Sequence, residues 1–200
     1  MIIIISGPSG AGKTTVCRAL LERDTGLLYS VSVTTREKRK GEKEGIDYYF
    51  VSEEKFKRMN KEGKFLETER VHGHYYGTLR DIIDEAEDRK REILMDVDVK
   101  GKISLCRKLK NTISIFLMPP TMDEAVKRIK GRNEEEANEI KNRMVTASSE
   151  IREIKKFDYL VVNKSLEETV DIVEAIIIAE RHKIKNRTGG FKHDLFVRGY

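Results

Sequence analysis

Eight residues, Gly7-Pro8-Ser9-Gly10-Ala11-Gly12-Lys13-Thr14, restrict this chain more than any other stretch. They match G-x-x-x-x-G-K-[S/T], and the flanks are those the pattern needs. A β-branched run at 2–5 reads as a buried central strand, and an amphipathic stretch at 13–23 reads as a helix. A glycine-rich turn between strand and helix lets backbone N–H groups face inward. The helix N-terminus adds partial positive charge there. Such a turn cradles phosphate. Lys13 is expected to reach the β/γ-phosphates and the Thr14 hydroxyl to hold Mg²⁺.

The strand–helix rhythm then repeats. Apolar runs at 27–33, 92–97, 112–117 and 159–162 alternate with helical patterns at 99–109, 121–131, 134–155 and 165–185. This alternation predicts an α/β domain with a mainly parallel sheet. Pro119-Pro120 stops one strand, and Thr121 can cap the helix after it. Residues 34–90 break the rhythm, with short strands expected at 47–51 and 64–71 around a helix at 52–62. The segment reads as a mixed α/β insertion that binds substrate. Asp96 closes the run Ile93-Leu94-Met95, where a metal-binding carboxylate belongs. Asp98 lies two residues on, so in an extended chain both acids point the same way. One would serve the metal and the other the substrate, or Asp98 would only cap the next helix.

Charge and cysteine usage exclude several classes. The chain has 200 residues, enough for one domain, with 39 basic and 34 acidic side chains. Residues 181–200 carry six basic groups against Asp194 alone, which accounts for the whole net charge of +5. The body is neutral, so no nucleic-acid footprint is expected. Thr188-Gly189-Gly190 marks a break before a basic tail, set at 187–200. The aliphatic runs are far short of the ~20 residues that cross a bilayer, and no cationic segment precedes the first, so neither membrane nor secretory signal is expected. Cys17 and Cys106 form neither a disulfide framework nor a zinc spacing. A reducing cytoplasmic setting is expected.

The insertion and its surroundings carry a family resemblance. Ser30-Val31-Ser32-Val33-Thr34-Thr35-Arg36-Glu37-Lys38-Arg39 resembles the S-V-S-x-T-T-R-x-P-R segment of guanylate kinases. Residues 41–50 resemble their G-E-x-x-G-x-D-Y-x-F, Phe65-Leu66-Glu67 their F-[IL]-E, and residues 73–78 their G-N-Y-Y-G-[TS]. Asp96-Val97-Asp98-Val99-Lys100-Gly101 resembles D-[IV]-D-x-Q-G. Residues 125–134 and Lys141-Asn142-Arg143-Met144 resemble the entry and later turn of the family's lid. The resemblance runs in order from residue 2 to about 184.

It implies a P-loop NTPase core at 1–33 and 91–186, a GMP-binding insertion at 34–90 and a helical lid at about 131–143. It also implies phosphoryl transfer from ATP to GMP with Mg²⁺. Ser32, Arg36, Arg39, Tyr48 and Tyr76 would then face the GMP phosphate, with Arg39 also near the transferred group. Forked guanidinium and phenolic donors suit a dianion. Glu67, Asp98 and Thr78 would read guanine: carboxylates accept from N1–H and N2–H₂, and a hydroxyl donates to O6. Arg132 and Arg143 would close over the ATP phosphates, joined by Arg128.

Lys38 for Pro, Lys100 for Gln and Asn133 for Gly depart from the pattern. His74 stands where the family has Asn, and His72 and His74 read as surface residues. Two alternatives remain open. One is a non-catalytic binding module of the same fold; the other is a P-loop kinase for a different small phosphate ester.

Overall fold

A computed structural model describes residues 1–24, 26–130 and 137–183. Its centre is strand β1 (Ile2–Ser6), in which Ile3, Ile4 and Ile5 are fully buried. The pleat sends Ile3 and Ile5 to one face and Ile4 to the other. Ile3 and Ile5 meet Val16, Cys17 and Leu20 of α1 (Lys13–Arg23) and Val170, Val173 and Ile177 of α7 (Leu166–Arg181). Ile4 packs with Ile82 and Ala86 of α3 (Asp81–Asp88) and Leu105 of α4 (Val99–Lys108). Burial on both faces explains the unbroken isoleucine run. Each buried isoleucine contributes about 2 kcal/mol, so β1 is a firm base for the turn that follows.

The large sheet is parallel throughout, in the order β2-β7-β1-β8-β9. Its other strands are β2 (Leu27–Tyr29), β7 (Glu92–Asp96), β8 (Thr112–Met118) and β9 (Tyr159–Val162). Helix α5 (Met122–Lys130) follows β8, starting with a hydrogen bond from Glu124 N to Thr121 Oγ1 at 3.1 Å. Helix α6 (Ala137–Ile151) precedes β9. An α/β fold with a mainly parallel sheet is therefore what the chain adopts. In open sheets of this kind ligands gather beyond the carboxyl ends of the strands.

A second sheet has the order β4-β3-β6-β5, from β3 (Ser32–Thr34), β4 (Tyr48–Phe50), β5 (Phe65–Val71) and β6 (His74–Leu79). Helix α2 (Glu53–Lys61) covers it, with Phe56 stacked on Phe65 and Tyr75 at 4.7 and 5.4 Å. The single strand expected at 27–33 is two strands in two sheets. Ser30 N still bonds Leu94 O of the large sheet at 2.9 Å, but two residues later the chain pairs with β4 and β6 instead. Asp47 ties the two units: it is 4% exposed, pairs with Arg18 of α1, and accepts from Lys43 N at 2.7 Å.

Candidate active site

The phosphate turn takes its shape from glycine. Gly7 has φ 139°, and a Cβ there would lie 2.0 Å from Leu117 O. Gly12, at φ 91°, caps α1 without a side-chain hydrogen bond, and the first turn of α1 contains no acid. Side chains of Ser52, Asp98 and Ser165 cap the starts of α2, α4 and α7, whereas α1 has no side-chain cap, and the partial positive charge of its N-terminus suits an anion. Lys13 Nζ lies across the turn, donating to Gly7 O at 2.6 Å and Pro8 O at 3.2 Å. Ala11 is fully buried.

Beyond the turn, Thr14 Oγ1 donates to Asp96 Oδ2 at 2.8 Å. The other oxygen of Asp96 accepts from the Tyr29 hydroxyl. Burial, and then the neighbouring Asp96 charge, push the Tyr29 phenol far up, so it stays a proton donor. The paired oxygens of Thr14 and Asp96 make a hard donor set suited to Mg²⁺, which binds few protein ligands and keeps its water.

Gly10, Gly12, Lys13, Thr14 and Asp96 share one cleft of about 220 Å³ with Ser32, Arg36, Arg39, Tyr48, Tyr76, Glu67 and Asp98. Ser9 also lines it, as do His72 and His74, which were expected only as surface residues. His72 is exposed and His74 half-buried. Arg36 Nη2 donates to Glu42 Oε1 at 2.7 Å, and its guanidinium sits 5.5 Å from the Tyr48 ring centre. The Arg39 backbone N–H donates to Glu42 Oε2 at 2.9 Å, so one carboxylate orders both arginine positions. Burial opposes ionisation of Glu42, but the bonds from Arg36 and from Arg39 N hold its carboxyl below the ordinary range. Tyr48 and Tyr76 meet edge to face at 5.9 Å. Burial and the Asp96 charge raise the Tyr48 phenol, keeping its proton available.

At the other end Glu67 is 6% exposed and Thr78 fully buried. A bulge between Phe65 and Glu67 turns Leu66 into the large-sheet core and sets Glu67 opposite Thr78. The Thr78 hydroxyl donates to Glu67 Oε1 at 2.6 Å. Burial lifts the Glu67 carboxyl to about 7; Asp98 and Glu69 add to the rise, and Thr78 opposes it. Asp98 caps α4, accepting from Gly101 N at 2.6 Å, and still lines the cleft. Capping α4 therefore does not remove Asp98 from the cleft.

Arg128 is held at the side of the turn, by Glu124 Oε1 at 3.1 Å and Asn163 O at 3.2 Å. Arg132 and the tail lie outside the described residues, as does the side chain of Arg143. Four neighbours were not expected from sequence. Glu42 lies within a quoted motif, but only its two hydrogen bonds reveal its work. Tyr29 carries no local signal. Asn163 stands just after β9 and bonds the phosphate turn. Glu150 of α6 has its carboxyl raised to about 7 by burial, with the Lys13 charge opposing.

A family model described as "Guanylate kinase" matches residues 1–180. The guanylate kinase of Thermotoga maritima is 40% identical over 200 residues, covering 100% of this chain and 97% of that protein. The guanylate kinase of Caldanaerobacter subterraneus subsp. tengcongensis is 40% identical over 184 residues, covering 92% and 89%. Among solved structures, a guanylate kinase from Anaplasma phagocytophilum superposes with a TM-score of 0.78 at 37% identity. That match covers 92% of this chain and 87% of the other.

Proposed function

The chain belongs to the guanylate kinase family, and on that premise we propose that it transfers the γ-phosphate of ATP to GMP or dGMP, giving ADP and GDP. The observation that carries this reading is the single cleft that joins Lys13 and Thr14 at one end to Glu67 and Asp98 at the other. One end fits a triphosphate and the other a base with adjacent N–H donors.

The protein's part is to position the reactants and neutralise charge, since a GMP phosphate oxygen is itself the nucleophile in an in-line transfer. The Lys13 ammonium and the inward-facing backbone N–H groups of the turn take the ATP phosphates. Arg36, Arg39, Tyr48, Tyr76 and Ser32 take the GMP phosphate, with Arg39 reaching toward the migrating group. Glu67, once ionised, accepts from guanine N1–H and N2–H₂, with Asp98 as a second acceptor. Thr78 was expected to donate to guanine O6, but its proton goes to Glu67, so its part is to orient that carboxylate. Adenine presents an acceptor at N1 and lacks the N2 donor, so it would leave a buried carboxylate unpaired. Thr14 and Asp96 would hold Mg²⁺, which when bound offsets charge on the β- and γ-phosphates. Arg128, Arg132 and Arg143 complete the ATP side, a role that rests on sequence.

We assign the work to three parts: a core at 1–33 and 91–186, a GMP-binding unit at 34–90, and a lid at about 131–143. A cytoplasmic setting goes with this chemistry. No macromolecular partner is required, and among the described residues no helix is long and apolar enough to cross a membrane.

The test is ADP release with ATP and Mg²⁺, offering GMP, dGMP, AMP, CMP and UMP separately. Activity confined to GMP and dGMP is expected. Equal activity on AMP would remove Glu67 and Asp98 from base recognition. No activity on any of the five, with ATP still bound, would favour the binding module.

A further inference from the structure

Asn163 stands at the exit of β9, 6% exposed, and its side chain is used entirely inside the protein. Its Nδ2 donates to Ala11 O at 2.8 Å, in the middle of the phosphate turn. Its Oδ1 accepts from Thr169 Oγ1 at 3.0 Å, and that hydroxyl also lies 2.6 Å from Ser165 O. Ala11 O can only accept, so it fixes Nδ2 toward the turn, while the Thr169 hydroxyl, its one proton shared between two oxygens, sits against the far end of the amide. The backbone of Asn163 is anchored too: its N–H donates to Met118 O at 2.7 Å, and its carbonyl takes Arg128 Nη2 at 3.2 Å. A Cβ on Gly12 would lie 2.4 Å from Nδ2, so the amide is seated directly against the turn.

We infer that Asn163 is a positioning residue for the ATP phosphates, acting through the Ala11–Gly12 peptide. That peptide is trans. Its carbonyl and N–H therefore point in opposite directions. Holding Ala11 O toward Asn163 turns the Gly12 N–H the other way, away from Asn163. Gly12 and Lys13 both line the cleft. The same residue holds Arg128 through its carbonyl, so one anchor at the end of β9 sets the turn and the first helix after β8 together. Local sequence cannot do this, because a glycine-rich turn has access to many backbone conformations. A buried amide 152 residues away selects one of them. The inference rests on the phosphate turn being the ATP site.

Two variants test it, Asn163→Ala and Thr169→Val. The first removes the donor and leaves Ala11 O buried. The second removes only the hydroxyl that contacts the far end of the amide, at nearly constant volume. Binding of a non-hydrolysable ATP analogue and of GMP is measured separately by calorimetry, together with the KM for each substrate and the melting temperature. Asn163→Ala should weaken the ATP analogue by about tenfold or more. Thr169→Val should weaken it severalfold in the same direction. GMP affinity should move by less than twofold in both. Equal losses for the two nucleotides, or a lower melting temperature with unchanged ATP affinity, would make Asn163 a fold-stabilising residue and overturn the inference. A wild-type protein that binds GMP but no ATP analogue would instead remove the underlying assignment of the turn.

Discussion

The two ends of the cleft are built by opposite means. The phosphate end is made of consecutive residues, and its donors are mostly backbone N–H groups at a helix start with no capping side chain. The carboxylate end is made of side chains from β5, β6 and the start of α4, brought together by a hairpin register with a bulge. The first end needs glycine and correct peptide orientation. The second needs charge where water has been removed, and the raised Glu67 carboxyl reflects that cost. On the proposed reading, the site would be general at one end, since every nucleotide carries phosphate, and selective at the other, where a buried acid would refuse the wrong base.

The comparison breaks most sharply at Lys13. Lys13→Ala should lower kcat by about 10²–10³-fold, the scale of removing one transition-state charge donor, while calorimetric GMP affinity stays within twofold. A loss below tenfold would remove Lys13 from the transferred group. Next comes Glu67→Ala, with kcat/KM for GMP expected to fall about 10²-fold and binding of an ATP analogue unchanged. An unaltered kcat/KM for GMP would sink the base assignment.

The pH dependence of GMP affinity sharpens the same contrast. Ionised Glu67 accepts more strongly from the guanine N–H donors and carries no competing O–H, so affinity should rise with pH and level off above about 7. Below that it should fall by about tenfold per pH unit. Glu67→Gln has no such titration and serves as the control for ionisation of the GMP phosphate; identical slopes in the two proteins would refute the prediction. The effect on folding has the opposite sign. The folded-state value lies above the ordinary 4.5, so Glu67's contribution to stability is present at low pH and is lost as pH rises from 4.5 to about 7.

The smallest expected effect is at Tyr29. Tyr29→Phe removes the phenol from Asp96 and leaves Thr14 in place. The Mg²⁺ concentration for half-maximal rate should rise about tenfold, as should the Mn²⁺ dissociation constant read by electron paramagnetic resonance with a bound ATP analogue. GMP affinity should not change. An unchanged Mn²⁺ constant would make Tyr29 a packing residue alone.

Much of this was legible in the chain before folding. The phosphate turn is contiguous, so its pattern, the strand before it and the helix after it can all be read directly. The alternation of apolar runs with helical patterns is local as well, and it led to the parallel sheet. What escaped was pairing. The run at 27–33 is uniformly strand-like, and nothing within it says that its halves join different sheets. Helix α3 lay inside the mixed α/β insertion at 34–90 without being assigned there, although Ile82, Ile83 and Ala86 carry helical spacing. Tyr29 and Glu42 look like an ordinary strand tyrosine and an ordinary surface acid until their partners are known.

By itself, then, the sequence determined that a strand and a helix meet at a glycine turn able to hold phosphate, because backbone conformation there depends on residues next to one another. The tertiary structure alone decided which carboxylate becomes the buried acceptor, which oxygen of Asp96 faces Tyr29, and which way the Ala11–Gly12 peptide points. Those outcomes depend on desolvation and on partners 11, 67 and 152 residues apart. Contacts at such separations exist only once the β5–β6 hairpin has set its register and the strands of the large sheet have assembled.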